Sequence, residues 1–324
     1  MARLRFIQAI NRALVEEMSR DEKVILIGED VEASIFGDTR GLLERFGPDR
    51  VRNTPISEQA LTGMAVGAAA NGYRIILHMM FANFVYTGFD AIANQMAKLR
   101  LMTGGQITLP ITVIANYGAG RSTAAQHSDT PFSLLMNLGG IEVVVPSTPD
   151  NALGLMKSAI RSNNPTFFLE PGGRGGDTGE VPDGEHLTPL GEARVLKDGS
   201  DMTLITMGSM TRMTLQTAKK LEAEGISASV LDLQSLVPLD EAAILEAVAK
   251  TGRAIIVEES RDRCSAASHI SAVLADKGFH TLKAPVRRIT VPDTAMPYAP
   301  SAELPLLPNP ERIVAAAKAL MEEG

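Results

Sequence analysis

The chain has 324 residues, 45% of them hydrophobic and 21% charged, and its 31 basic and 38 acidic side chains leave a net charge of −7. That length favours two domains over one core, and an acidic balance with no long basic run argues against nucleic acid or an anionic membrane as partner. A single cysteine, Cys264, excludes an internal disulfide and any multi-cysteine metal site and suits a reducing, cytoplasmic setting.

In chain order, the opening residues read as an amphipathic helix over 5–19, not as a signal peptide. A strand at 24–27 ends in Gly28-Glu29-Asp30, and a polar loop with a short helix over 38–46 follows. The stretch from Arg52 to Arg74 organises what comes next. Thr54-Pro55 is an extended lead-in and Ser57 a candidate N-cap. From Glu58 to Ala70 there is no other charge, and Gly63, Ala65, Gly67, Ala68, Ala69 and Ala70 keep the helix thin. A thin helix suits deep packing, or the close approach of a ligand or another chain. Taken alone, Glu58 could merely favour the positive end of the helix dipole.

Strands are expected at 74–80, 111–114, 142–146 and 166–169, with helices around 89–102 and 148–161. A glycine-rich loop over 116–122 runs into Gln126-His127-Ser128-Asp129. The apolar region 61–85 is cut by Asn71-Gly72-Tyr73-Arg74 and stays short of membrane length. Residues 171–189, rich in Gly, Pro and acid and without a period, read as a linker between a domain over 1–170 and another over 190–324. In the second domain, strands at 202–206, 228–233, 254–257 and 286–291 alternate with helices at 211–224, 240–251 and 265–277. Uninterrupted β-branched runs alternating with helices imply parallel sheets covered on both faces, hence an α/β protein of two doubly wound domains.

Gly118-Ala119-Gly120-Arg121-Ser122-Thr123 imitates a dinucleotide fingerprint but lacks its third glycine and the acid about twenty residues on. No Walker loop, His-Glu-x-x-His or Gly-x-Ser-x-Gly is present, and the five histidines have no ligand-like spacing. Glu58, Phe84 and His127 each lie just past an expected strand end or at a helix start, where the active sites of parallel sheets gather. On local grounds alone Phe84 reads more readily as a core aromatic and His127 as a solvated loop histidine.

From end to end the sequence resembles the beta subunit of the thiamine-diphosphate-dependent decarboxylating component of 2-oxo acid dehydrogenase complexes. This group includes pyruvate, branched-chain and acetoin enzymes, and the C-terminal half of transketolase is a relative. The resemblance is carried by Gly28-Glu29-Asp30-Val31, Thr54 to Glu58, Gly63-x-Ala65-x-Gly67-Ala68-Ala69, Met80 to Phe84, Gln126-His127-Ser128 and Pro146-Ser147-Thr148-Pro149. In the second domain Thr203 to Gly208, Pro238-Leu239-Asp240, Val257-Glu258-Glu259 and Pro297-Tyr298 continue it. It implies a pyrimidine-binding domain followed by a transketolase C-terminal-like domain.

It also implies roles. At the position of Glu58 the family's glutamate hydrogen-bonds a ring nitrogen of the aminopyrimidine and so promotes ionisation of the thiazolium carbon, the electron sink for decarboxylation. Phe84 matches the aromatic that packs on the pyrimidine, and His127 a histidine near the reacting carbon and the incoming lipoyl group. A structural potassium would take backbone carbonyls at Ile111, Ala159, Ser162 and Asn164.

No Gly-Asp-Gly segment occurs anywhere, although thiamine enzymes use one to hold the diphosphate through Mg²⁺. The resemblance therefore implies that an alpha subunit supplies the Mg²⁺ and diphosphate half in an alpha2beta2 heterotetramer. Two departures stand out: Asp129 to Asn137 replaces the family's aromatic-rich segment after the histidine, and Cys264 to His269 replaces a glycine-rich turn. The expectation is a beta subunit for oxidative decarboxylation of a 2-oxo acid, with acyl transfer to a lipoyl-bearing acyltransferase. The alternatives are an acetoin dehydrogenase beta subunit and a non-catalytic paralogue that docks an alpha chain.

Overall fold

The computed structural model of the chain describes residues 1–323, and they form two compact units. The first combines Met1–Tyr117 with Leu134–Leu190, and the second combines Gly118–Ser133 with the chain from Gly191 onward.

The first unit begins with β1 (Ala2–Arg5), α1 (Phe6–Arg20), β2 (Val24–Gly28), α2 (Leu42–Phe46), β3 (Val51–Asn53), α3 (Glu58–Ala70) and β4 (Arg74–Phe81). It continues through α4 (Leu99–Met102), β5 (Ile111–Tyr117), α5 (Phe132–Met136), β6 (Glu142–Val144), α6 (Pro149–Arg161), β7 (Thr166–Pro171) and β8 (Thr178–Val181). Its main sheet runs β6-β7-β5-β4-β2-β3, every pair parallel. All seven residues of β5 are buried, as a strand covered on both faces requires. On one face, Phe6, Ile10, Leu14 and Met18 of α1 join Ala152, Leu155, Met156 and Ile160 of α6 in one core. Thr148 and Asn151 form the capping box that starts α6.

Three local expectations shift. The N-terminal residues are not helical from the start: Ala2–Arg5 pairs antiparallel with Thr178–Val181, a strand inside the segment read as linker. Four alternating residues on an edge carry no apolar run, so the pairing rests on long-range backbone bonds such as Phe6 N–H to Asp177 O at 2.7 Å. The helix expected over 89–102 is broken into a π-type turn over Ala91–Met96, where Ala97 N–H reaches back five residues to Ile92 O, and then α4.

The second unit contains β9 (Arg194–Lys197), β10 (Met202–Thr206), α7 (Thr211–Ala223), β11 (Ala228–Asp232), β12 (Ser235–Val237), α8 (Glu241–Thr251), β13 (Ala254–Arg261), α9 (Ala266–Lys277), β14 (Arg287–Val291), α10 (Pro300–Glu303) and α11 (Pro310–Glu322). Its sheet runs β14-β13-β10-β11-β9, parallel except for β9. Helix starts follow their caps, with Asp240 accepting from Ala243 N–H and Ser265 from Ser268 N–H. The final helix, α11, was not anticipated, though Asn309-Pro310-Glu311 is a strong start signal and Asn309 accepts from Arg312 N–H.

Candidate active site

In the first unit the carboxyl ends of β2 and β4 and the start of α3 set out the site. Gly28 closes β2 where a Cβ would sit 2.5 Å from the His78 carbonyl, so no larger residue fits without a backbone shift. Thr54 N–H donates to Gly28 O at 3.0 Å and brings the Thr54-Pro55 lead-in alongside. Glu58 is the first residue of α3 and is only 8% exposed. Ser57 takes the N-cap position, but its side chain makes no capping bond. Its backbone N–H is instead directed to the carboxylate of Glu29.

Glu29 is the residue that sequence reasoning quoted without giving it a role. It too is only 8% exposed. Burial pushes its pKa above the ordinary carboxyl value, and the charges of Glu58 and Asp30 push in the same direction. Two buried carboxyls thus share the mouth of one helix. The available signal was the position of Gly28-Glu29-Asp30 at a strand end, beside the lead-in to Glu58.

Phe84 lies in a tight helical turn over Ala82–Tyr86 that directly follows β4. Its ring packs edge-on against Phe81 at 5.9 Å, and Phe81 packs against Phe36 at 5.4 Å. Immediately afterwards, Gly88 passes so close to the first turn of α3 that a Cβ there would lie 3.1 Å from Glu58 O and from Thr62 Oγ1. Ala91 N–H donates to Gln59 Oε1 at 3.3 Å. The chain carrying Phe84 is therefore laid along the turn that carries Glu58. Oε1 of Glu29, Oγ1 of Thr54 and Oγ1 of Thr62 are buried without a hydrogen-bond partner among the described residues. Buried polar groups in this condition suit a polar ligand that completes them.

The exposed side of α3 is its thin side. Ala60, Gly63, Met64 and Gly67 are exposed, and a Cβ at either glycine would meet nothing within 4 Å. Beside it, Pro55, Ser57, Ala60, Met64 and Tyr73 help line a groove of about 630 Å³.

His127 belongs to the second unit, at the end of a short turn over Ala125–His127, and is half-buried. Thr123 Oγ1 donates to its carbonyl at 3.2 Å and lies 2.8 Å from Ser128 Oγ. The preceding Ser122 and Ala124 both have positive φ, at 56° and 59°. That is a costly backbone for residues with side chains, and it persists only where the surroundings hold it.

Of the four carbonyl positions, Ser162 and Asn164 follow the end of α6, and Ile111 begins β5, close to where Leu109 N–H meets Asn163 O at 3.2 Å. Ala159 O accepts from Ser162 N–H, and Ser162 O accepts from Arg74 Nη1 at 2.9 Å. Asn164 O accepts from Thr166 Oγ1 at 3.4 Å, so three of the four carbonyls already serve protein donors, although each keeps a second lone pair. Among the described residues no group of His, Cys, Asp and Glu is arranged to hold a metal, and no helix is long and apolar enough to cross a membrane.

Residues 2–175 match the model of the transketolase pyrimidine binding domain, and residues 191–313 that of the transketolase C-terminal domain. The chain is 44% identical to acetoin:2,6-dichlorophenolindophenol oxidoreductase subunit beta of Bacillus subtilis, over 97% of this chain and 96% of that one. It is 40% identical to the pyruvate dehydrogenase E1 component subunit beta of the same organism, over 99% of this chain and all of the other. A solved split-gene transketolase, described as an inactive beta4 tetramer, superposes with a TM-score of 0.80 at 26% identity, covering 98% of this chain and 97% of that one.

Proposed function

The chain belongs to the transketolase-like family of 2-oxo acid and acetoin dehydrogenase beta subunits, and from that premise we propose that it is the beta subunit of a thiamine-diphosphate-dependent 2-oxo acid dehydrogenase. The observation that carries this reading is the buried Glu58 carboxyl at the uncapped start of α3, with Phe84 in the segment packed along the same turn.

The residues present suit the pyrimidine half of the cofactor. When bound, thiamine diphosphate supplies the electron sink that decarboxylation of a 2-oxo acid needs. Glu58 holds a proton toward a ring nitrogen, in a site dry enough that a single hydrogen bond is strong. Phe84, backed by Phe81 and Phe36, offers an aromatic surface for the ring. His127 is assigned to the reacting centre and to the approach of the acceptor. The acyl group passes to a lipoyl-bearing acyltransferase.

The diphosphate and its Mg²⁺ fall to an alpha subunit, because the chain has no Gly-Asp-Gly segment. The exposed small-residue side of α3 suits close approach by that subunit in an alpha2beta2 assembly. The setting is cytoplasmic. A potassium ion on the carbonyls of Ile111, Ala159, Ser162 and Asn164 would stiffen the end of α6, and a rise in melting temperature with K⁺ but not with Na⁺ is its test.

Acetoin cleavage is a second reading, favoured by the 44% identity to an acetoin enzyme against 40% to a pyruvate enzyme. The deciding experiment co-expresses the chain with its alpha subunit and compares pyruvate, branched 2-oxo acids and acetoin by dye reduction. Turnover of a 2-oxo acid at least tenfold above acetoin supports the first reading. The reverse ratio establishes the second, and no turnover of any substrate by the assembled pair leaves the non-catalytic paralogue.

A further inference from the structure

The loop that imitates a dinucleotide fingerprint is already filled by protein anions. In the second unit Gly120 N–H donates to Glu303 Oε1 at 2.8 Å, and Ser122 N–H to Glu303 Oε2 at 2.9 Å. Ala119 N–H donates to Glu259 Oε1, whose other oxygen accepts from Ser209 Oγ. Glu303 is fully buried and Glu259 nearly so. Successive backbone N–H groups around residues of alternating hand form a concave anion-binding nest. Here the positive φ values at Gly118, Gly120 and Ser122 shape such a nest, and two carboxylates from distant parts of the chain occupy it. A methyl group at Gly118 would meet the Glu259 carboxylate at 2.9 Å, so the fit leaves no spare room.

The far end of the loop is tied as well. Arg261 Nη2 pairs with Asp129 at 2.8 Å, and its Nε donates to Thr294 O at 2.9 Å. Gly118 N–H closes the loop on Asp129 O at 3.2 Å. Between these ties stand Ala124, in its strained backbone, and then His127. The turn that carries His127 is suspended between a carboxylate clamp and an ion pair, all contributed by the second unit.

We propose that Glu303, with Glu259, is a positioning residue for His127, holding the Gly118–Ser128 loop in the shape that presents the histidine to the acyl acceptor. The inference rests on the role proposed above for His127. Glu303 acts through the loop backbone and touches no reactant. Removing its carboxylate releases two backbone N–H groups and lets Ser122 and Ala124 relax from positive φ. Acyl transfer to the lipoyl group then suffers, while the decarboxylation that depends on Glu58 continues.

The test uses the co-expressed heterotetramer with Glu303→Ala and Glu303→Gln. Two rates are measured with the same substrate: reduction of 2,6-dichlorophenolindophenol, and acylation of a free lipoyl domain. The expected result for Glu303→Ala is at least a tenfold loss of lipoyl acylation with dye reduction and cofactor saturation within twofold of wild type. Glu303→Gln, which keeps one acceptor oxygen, recovers part of the loss. Equal loss of both rates, or no loss of lipoyl acylation, overturns the proposal.

Hydrogen exchange of peptides spanning 118–128 is a second arm that needs no turnover. The amides of Gly120 and Ser122 should be protected in the wild type and lose protection in Glu303→Ala while the rest of the second unit keeps it. Unchanged local exchange overturns the clamp. A wild-type pair with no turnover but normal exchange loss in the variant counts against the proposed function and not against the clamp.

Discussion

His78 Nε2 and Asp38 Oδ2 meet at 2.9 Å with both side chains almost completely buried, at the end of the strand that leads to Phe84. The tautomer follows from the other nitrogen. Met80 N–H donates to Nδ1 at 3.2 Å, so the ring proton is on Nε2 and is given to the carboxylate. Phe36 stacks on the same ring at 5.9 Å and also packs on Phe81. The pair thereby fixes Met80, whose φ is 57°, at the end of β4 just before the turn carrying Phe84. Asp38→Ala leaves a buried imidazole N–H without an acceptor and should cost about 2–3 kcal/mol in a urea titration. Replacing both residues by leucine should cost much less, since no orphaned polar group remains.

Two glycines of the same region should respond in opposite ways. A Cβ at Gly88 meets Glu58 O and Thr62 Oγ1 at 3.1 Å, and those backbone and side-chain atoms cannot move without shifting the turn of α3. Gly88→Ala should lose about 1–2 kcal/mol of stability and weaken thiamine diphosphate binding, read by cofactor titration of the assembled pair.

Gly63 is on the exposed side of α3, where a Cβ meets nothing. Gly63→Ala should raise the stability of the lone chain by about 0.5–1 kcal/mol. It should also weaken assembly with the alpha subunit, which analytical ultracentrifugation of the mixed chains would show.

In the second unit Glu258 of β13 is fully buried, its carboxylate accepting from the first amides of α9, Ala267 N–H at 2.6 Å and Ala266 N–H at 3.3 Å. Burial pushes its pKa up to about 7, against the three hydrogen bonds that favour the charged form. The folded state therefore holds this proton more tightly than the unfolded chain. The stability it contributes is complete below the ordinary carboxyl range and is lost as pH rises toward about 7. The span corresponds to about 3 kcal/mol. Melting temperatures from pH 4.5 to 8 should fall with rising pH in the wild type and flatten in Glu258→Gln.

How legible each part was in the sequence depended on the range of the interactions that make it. The strand Arg74–Phe81 and the helices α3 and α6 could be read because apolar runs, a thin charge-free stretch and a capping box are local signals. Glu58 stood out for the same reason, as one carboxyl at the head of an uncharged helix. The β1–β8 pairing could not be read, since Ala2 and Val181 meet only through the fold. Glu29 was visible as a motif residue, but its coupling to Glu58 depends on two strand ends lying side by side. The glycine-rich loop could be read only as an incomplete dinucleotide fingerprint, because what fills it comes from far along the chain. Its anions are Glu259 and Glu303, 140 and 183 residues further along.

A chain that supplies only the pyrimidine half of a site should be inert alone. Purified without its alpha subunit it should show no decarboxylation of any 2-oxo acid above the buffer rate, and co-expression should restore it.

The most direct measurement is turnover by Glu58→Gln in the reconstituted pair, with assembly followed by sedimentation. Gln is nearly isosteric with Glu and keeps the helix start, but it cannot share an acidic proton with a ring nitrogen. Glu58→Gln should assemble like the wild type and lose turnover by at least a factor of about 10³, or roughly 4 kcal/mol of transition-state stabilisation. Turnover within a few-fold of the wild type in a correctly assembled pair would contradict the assignment of Glu58.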